Sequence, residues 1–234
     1  MANSIGQILA IALPGADFSM SAIDFSAEHG VRFLGNRSAA WLLKQCGWRV
    51  AFEGLPARQG MVIIYPHSSN WDFVILVLAK WAIGISVYFW AKDNLFRIPV
   101  FGRWLRWLGG VPVNRTSARG VVGCAVDQFV QARAQGRYFW LALSPEGTRK
   151  RIAGWRSGFY QTCVRAAVPL GLVRLDYGLR EVRILDFIHL TGDETVDFKR
   201  IVNVYDGVKA CIPQNAAPVR LLDRSVPRSE SIVK

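Results

Sequence analysis

Five short apolar runs constrain the fold of this chain more than anything else in it: MVIIY (61 to 65), ISVYFWA (85 to 91), YFWLAL (138 to 143), VPLGLVR (168 to 174) and VRILDFI (182 to 188). Each has the length of a strand, and none alternates apolar with polar as a sheet with one wet face does. The runs therefore predict strands covered on both faces. Helical patterns lie between them. After Thr116 and Ser117, the residues Val122, Val126, Phe129 and Val130 recur at helical spacing, with Gly136 as a C-cap. After Gly192 and Asp193, a second stripe runs through Phe198, Ile201, Val202, Tyr205 and Val208. Strands alternating with helices predict an α/β fold: a single layered domain with a mostly buried central sheet and helices on both faces. A length of 234 residues suits one such domain. We place it at 36–212, after a leader at 1–35 that could touch a membrane and before a loosely attached tail at 213–234.

The stretch FVILVLAKWAIGISVYFWA, 73 to 91, competes with this reading because it is about long enough to span a bilayer. Lys80 falls in its middle, Gly84 interrupts it, and its second half is β-branched and aromatic, so a helix followed by a strand is the better description. Charged residues make up 20% of the chain, too many for a polytopic membrane protein, while 51% hydrophobic residues suit an interface. Lys and Arg number 29 against 17 for Asp and Glu, a formal net charge of +12. Such a balance points to an anionic partner: nucleic acid, an acidic membrane surface or a phosphorylated substrate. Cys46, Cys124, Cys163 and Cys211 are scattered, with no CxxC pair and no metal-ligand spacing, which suggests a reducing, cytosolic setting. The N-terminal residues lack the basic region and cleavage site of a secretory signal.

Chemistry concentrates in a few places. In PHSSNWDF the first apolar run ends, so His67 falls in a strand-to-helix turn at the carboxyl edge of the sheet, where open α/β sheets build sites. A histidine there can take a proton from a hydroxyl, and Asp72 can fix its tautomer and stabilise the imidazolium. The plainer alternative makes Asp72 a helix cap and His67 a loop residue. Between 96 and 115, Arg97, Arg103 and Arg106 interleave with Trp104, Trp107 and other apolar residues, a mixture suited to the boundary between acyl chains and anionic headgroups. The same mixture could bind nucleic acid or pack as a core helix. Arg115 closes this segment and could offer a bidentate fork to a phosphate. In LALSPEGTRKR, Gly147 permits a tight turn, Arg149, Lys150 and Arg151 supply positive charge, and Glu146 could bond a hydroxyl or order the arginines.

In this order and spacing, the segments resemble the lysophospholipid acyltransferase superfamily, which includes the 1-acyl-sn-glycerol-3-phosphate acyltransferases. His67 and Asp72 match its HxxxxD, Gly102 through Arg115 look like its second block, Pro145 to Arg149 match PEGTR, and Val168 and Pro169 match its downstream block. The resemblance covers roughly residues 60 to 175. It implies transfer of a fatty acyl group from acyl-CoA or acyl carrier protein to the hydroxyl of a lysolipid, with His67 as general base and Asp72 orienting it. It implies no metal and no bound cofactor, and an acceptor site made by Arg115, Glu146, Gly147, Thr148 and Arg149.

Where the family's second block often ends in a hydrophobic residue, an acidic residue and arginine, this chain has Val113, Asn114 and Arg115; Ser144 stands where an aromatic is common before PEG and Arg156 where a lysine is expected, and these departures bear on the acceptor headgroup. The expected acceptor is 1-acyl-glycerol-3-phosphate, giving phosphatidate. A different lysolipid, such as a lyso-ornithine lipid, is the alternative, and a non-catalytic basic protein binding membrane or nucleic acid is the rival from another class. On the acyltransferase reading no nucleic acid is expected. The enzyme would work peripherally or monotopically on an anionic surface at the cytoplasmic side of the membrane, with Arg97, Arg103, Trp104, Arg106 and Trp107 in contact. A serine-hydrolase reading lacks its G-x-S-x-G elbow.

Overall fold

The computed structural model describes residues 33–113 and 120–222. In chain order the elements are α1 (Arg37–Gln45), β1 (Arg49–Phe52), β2 (Gln59–Tyr65), α2 (Asn70–Ile83), β3 (Tyr88–Lys92), α3 (Asp93–Phe96), α4 (Pro99–Trp107), β4 (Gly110–Val113), α5 (Gly120–Ala134), β5 (Phe139–Leu143), α6 (Gly158–Ala166), β6 (Leu170–Asp176), β7 (Glu181–Ile188) and α7 (Glu194–Tyr205). The seven strands form one sheet in the order β1-β7-β6-β2-β5-β3-β4. Every pair is parallel except the β6–β7 hairpin.

The apolar runs become strands because each has partners on both sides of the sheet. On one face Met61, Ile63, Leu141, Leu170 and Leu172 pack under α5, α6 and α7; on the other Val62, Trp140, Ala142, Val173 and Leu175 pack under α1 and α2. Neighbouring residues of one strand thus enter two different cores, which is why no polar alternation shows. The expected α/β domain with helices on both faces is what forms. Trp140 fixes one close approach: a Cβ on Gly60 would lie 2.3 Å from its ring.

The ambiguous stretch from 73 to 91 divides as expected, with Gly84 ending α2 in the left-handed conformation at φ 77°. No helix among the described residues is long and apolar enough to cross a membrane. Lys80 has a role inside the fold: its ammonium donates to the Leu108 carbonyl just past α4, and burial lowers its pKa. Ring contacts between Phe73 and Trp104 and between Trp81 and Trp107 join α4 to α2 at two further points.

The structure corrects three expectations. On α5 Phe129 is buried and Val126 packs against the core as expected, but Ala125 and Ala132 complete the buried stripe and Val130 is 56% exposed. On α7 Ile201 and Tyr205 are buried, and Phe198 and, just past the helix, Val208 pack against the same core as expected, but Asp197 is buried with them and Val202 is exposed. The expected loose tail is tied down over its described part: Trp155 and Leu221 form a parallel bridge, and the Trp155 amide donates to the Arg220 carbonyl. Residues 223–234, and all of the leader before Phe33, lie outside the described residues.

Candidate active site

The site's position follows from the directions of two connections. β2 and β5 are parallel neighbours, yet the chain leaving β2 enters α2 on one face while the chain leaving β5 reaches α6 on the other. The connections part above the shared carboxyl edge and open a crevice, the place where open α/β sheets bind ligands. His67 follows β2, the segment 144–151 follows β5, and Tyr177 follows β6 on the other side of β2.

The turn between β2 and α2 brings His67 and Asp72 together. Ser69 is the N-cap and Asp72 the third helical residue of a capping box: the Trp71 amide donates to Ser69 Oγ at 3.2 Å, and the Ser69 amide donates to Asp72 Oδ2 at 2.8 Å. The same Oδ2 accepts from the Ser68 amide at 2.7 Å and stands 3.2 Å from His67 Nδ1. Asp72 Oδ1 accepts from the Tyr177 hydroxyl at 2.7 Å. The carboxylate has no solvent exposure. Burial by itself would raise its pKa, but the bonds from His67, the Ser69 amide and the Tyr177 hydroxyl outweigh it and hold the group below its ordinary value. An ionised acceptor on Nδ1 assigns the ring proton to that nitrogen and leaves the Nε2 lone pair as a base. Asp72 is therefore both the helix cap and the partner of His67, so the two readings of this aspartate coexist.

Glu146 points the other way from its expected place among acceptor ligands. Its side chain is fully buried, Oε2 accepts from the His67 amide at 2.7 Å, and Oε1 accepts from the Ala217 amide at 2.8 Å. Both oxygens are occupied within the protein, so the group ties the His67 turn to the C-terminal segment instead of standing open to a headgroup. Burial pushes its pKa up to about 7, against the opposing pull of those two amides, and the nearby Asp72 charge adds to the rise.

Gly147 adopts φ 64°, which favours glycine, and its amide donates to the Ser144 carbonyl at 3.1 Å. Arg156 lies across this turn: a Cβ on Gly147 would sit 3.0 Å from its Nε. Thr148 is half-buried and accepts from the Lys150 amide through Oγ1, while Arg149 is exposed. Arg115 lies outside the described residues.

Arg97, Arg103, Trp104, Arg106 and Trp107 are all exposed on or beside α4. Trp107 is 69% exposed and Val100 76%, and α2 contributes Trp71 at 65% beside the buried Asp72. Arg97 pairs with Asp93 at 3.0 Å, Arg103 donates to the Pro99 carbonyl, and Arg106 lies over the Phe96 ring at 5.4 Å. An apolar, arginine-studded face thus runs from α4 to the first turn of α2, next to His67.

Two participants escaped the sequence reading. Tyr177 carried a signal in principle, since it ends a strand parallel to β2 and next to it. The segment 212–217 carried none: the Ile212 amide donates to Ser68 Oγ and Asn215 Nδ2 to the Ser68 carbonyl, contacts that no composition predicts.

Over 122 residues the chain is 28% identical to a chloroplastic 1-acyl-sn-glycerol-3-phosphate acyltransferase of Brassica napus, an alignment covering 50% of this chain and 33% of that protein. The chain thus spans about a third of the length of that curated relative. The crystal structure of the 1-acyl-sn-glycerophosphate acyltransferase from Thermotoga maritima is 19% identical, covering 71% of this chain and 73% of that one at a TM-score of 0.48. A family model described as Acyltransferase matches residues 47–175, more than half of the chain and all of the crevice residues from His67 to Arg149, and the chain belongs to that family.

Proposed function

We propose that this protein moves a fatty acyl group from a thioester, acyl-CoA or acyl carrier protein, to the hydroxyl of 1-acyl-glycerol-3-phosphate, giving phosphatidate. The observation that carries the reading is the His67 imidazole, 19% exposed at the crevice, with Nδ1 against a buried, ionised Asp72 carboxylate. His67 Nε2 takes the proton of the acceptor hydroxyl as its oxygen attacks the thioester carbonyl carbon. The carbon–sulfur bond then breaks, and the imidazolium returns the proton to the leaving thiolate. Asp72 stabilises the imidazolium between the two events. Gly147 and Arg149, with Arg115, would meet the acceptor phosphate, Arg149 by a bidentate bond. The name of the Brassica relative supports this acceptor class.

The exposed face of α4 and the start of α2 would rest on the cytoplasmic leaflet, tryptophans at the headgroup level and arginines on anionic lipid. A peripheral placement of this kind brings the crevice to an acceptor whose own chain stays in the bilayer.

The test is acyl transfer by purified protein with labelled donors and a panel of lysolipids in mixed micelles, beside His67→Ala. Labelled phosphatidate from the wild type alone supports the reading. Product only from a lyso-ornithine lipid or another headgroup would move the acceptor, and no product from folded protein with any pair would overturn the reaction in favour of a binding protein.

A further inference from the structure

Asp72 receives four donors on two oxygens, and they divide unevenly. Oδ2 takes the Ser68 amide, the Ser69 amide and His67 Nδ1; Oδ1 takes a single bond, from the Tyr177 hydroxyl at 2.7 Å. The carboxylate is sealed from solvent, so no water stands ready to replace that bond. Rotation of the carboxylate about Cβ–Cγ is thus fixed at one end by the turn and at the other by one phenol, 105 residues away in sequence.

Tyr177 is itself held from three directions. Its ring stands edge-on against Trp48, with centroids 4.9 Å apart and planes at 87°. Its amide donates to the Lys209 carbonyl at 2.9 Å. The residue before it, Asp176, folds the following turn by accepting from the amides of Gly178 and Leu179 at 2.8 and 3.1 Å. Burial and the Asp72 carboxylate hold the phenol well above its ordinary pKa, so it stays a donor throughout the physiological range.

From this arrangement we infer that Tyr177 is a positioning residue for the transfer proposed above: its hydroxyl orients the Asp72 carboxylate so that Oδ2 faces His67 Nδ1. The inference rests on the assignment of His67 as base. Loss of the hydroxyl leaves a buried carboxylate oxygen without a partner and frees the group to turn.

Tyr177→Phe tests this, because it keeps the ring against Trp48 and removes only the hydroxyl. With wild type and His67→Ala run in parallel, kcat should fall by about tenfold, a fraction of what a general base supplies. KM for donor and acceptor should stay within twofold and the melting temperature within a few degrees. Trp48→Leu loosens the same ring and keeps the hydroxyl; it should lower the melting temperature more and kcat less. A Tyr177→Phe enzyme with wild-type kcat, in a preparation where His67→Ala is dead, overturns the positioning role and leaves the acyltransfer reading intact. If the wild type transfers no acyl group, that reading fails instead, and the inference is read from the imidazole nitrogen resonances of His67, assigned by their absence in His67→Ala. Tyr177→Phe should shift the Nδ1 resonance, and an unchanged Nδ1 would overturn the role of the hydroxyl.

Discussion

Asp72→Asn separates the two duties that one carboxylate performs. Asparagine has nearly the same volume, and its single acceptor oxygen can take the place of Oδ2, receiving the Ser68 and Ser69 amides and His67 Nδ1–H. The amide nitrogen then faces Tyr177, whose hydroxyl oxygen can accept in turn. The start of α2 therefore keeps its hydrogen bonds, and what disappears is the negative charge beside the imidazole. A weakened cap costs about 1 kcal/mol, or roughly 2–4 °C in melting temperature for a chain of this size. A base that cannot stabilise its protonated form costs much more: general-base catalysis supplies about 10²–10⁴-fold, or roughly 3–5 kcal/mol of barrier. Ser69→Ala is the companion, since it removes the Oγ that caps the Trp71 and Asp72 amides while both carboxylate oxygens of Asp72 keep their donors. It should lose about 1 kcal/mol of stability and keep kcat within twofold. Thermal unfolding and acyl transfer to lysophosphatidate, measured on both variants, form the assay. Asp72→Asn with kcat within threefold of wild type would refute the reasoning and leave Asp72 as a helix cap alone.

Glu146 titrates near pH 7 in the folded protein against an ordinary value of 4.5. Between those values the folded state holds a proton that the unfolded chain has released, so its contribution is fully present below about pH 4.5 and is lost as pH rises through 7. Urea midpoints of wild type and Glu146→Gln at pH 5, 6, 7 and 8 should show a wild-type decline that the variant lacks; parallel profiles would count against it. Gly147→Ala should cost about 1–2 kcal/mol, because φ 64° disfavours a Cβ and Arg156 must move aside; unchanged stability would show that the turn relaxes freely. Trp104→Ala with Trp107→Ala should cut flotation with vesicles containing phosphatidylglycerol by at least fivefold while leaving transfer to a micellar acceptor near wild type. Equal flotation of wild type and double variant would remove α4 from the membrane contact.

Most of the fold was legible because the central strands are buried on both faces, and that condition writes itself as uninterrupted apolar runs. What escaped lies where that condition fails. β1 and β4, RVAF and GVPV, are four-residue strands at the two ends of the sheet, too short to show a pattern and flanked by glycine or charge. On α5 the pattern showed Val126 and Phe129 but missed Ala125 and Ala132, because alanine marks no face in a hydrophobic pattern. His67 and Asp72 were legible because five residues and one turn join them. Glu146 and Tyr177 depend on partners 71 and 105 residues away, which no local pattern in the sequence announces.

The two buried carboxylates of the crevice are unlike. Both are sealed from solvent, and burial alone raises the pKa of each. Asp72 sits at the start of a helix and collects four donors, two of them amides of its own turn, so ionisation wins. Glu146 collects two amides from separate segments and faces the charge of Asp72, so protonation becomes competitive near neutrality. Asp72 is thus held ionised beside the imidazole, while burial brings the pKa of the Glu146 carboxyl up to about 7. Because the one carboxylate accepts from both the His67 and the Ala217 amides, it couples the His67 turn to the C-terminal segment. In the transfer proposed above the aspartate serves the imidazole, and the glutamate holds the turn that carries His67 through the His67 and Ala217 amides.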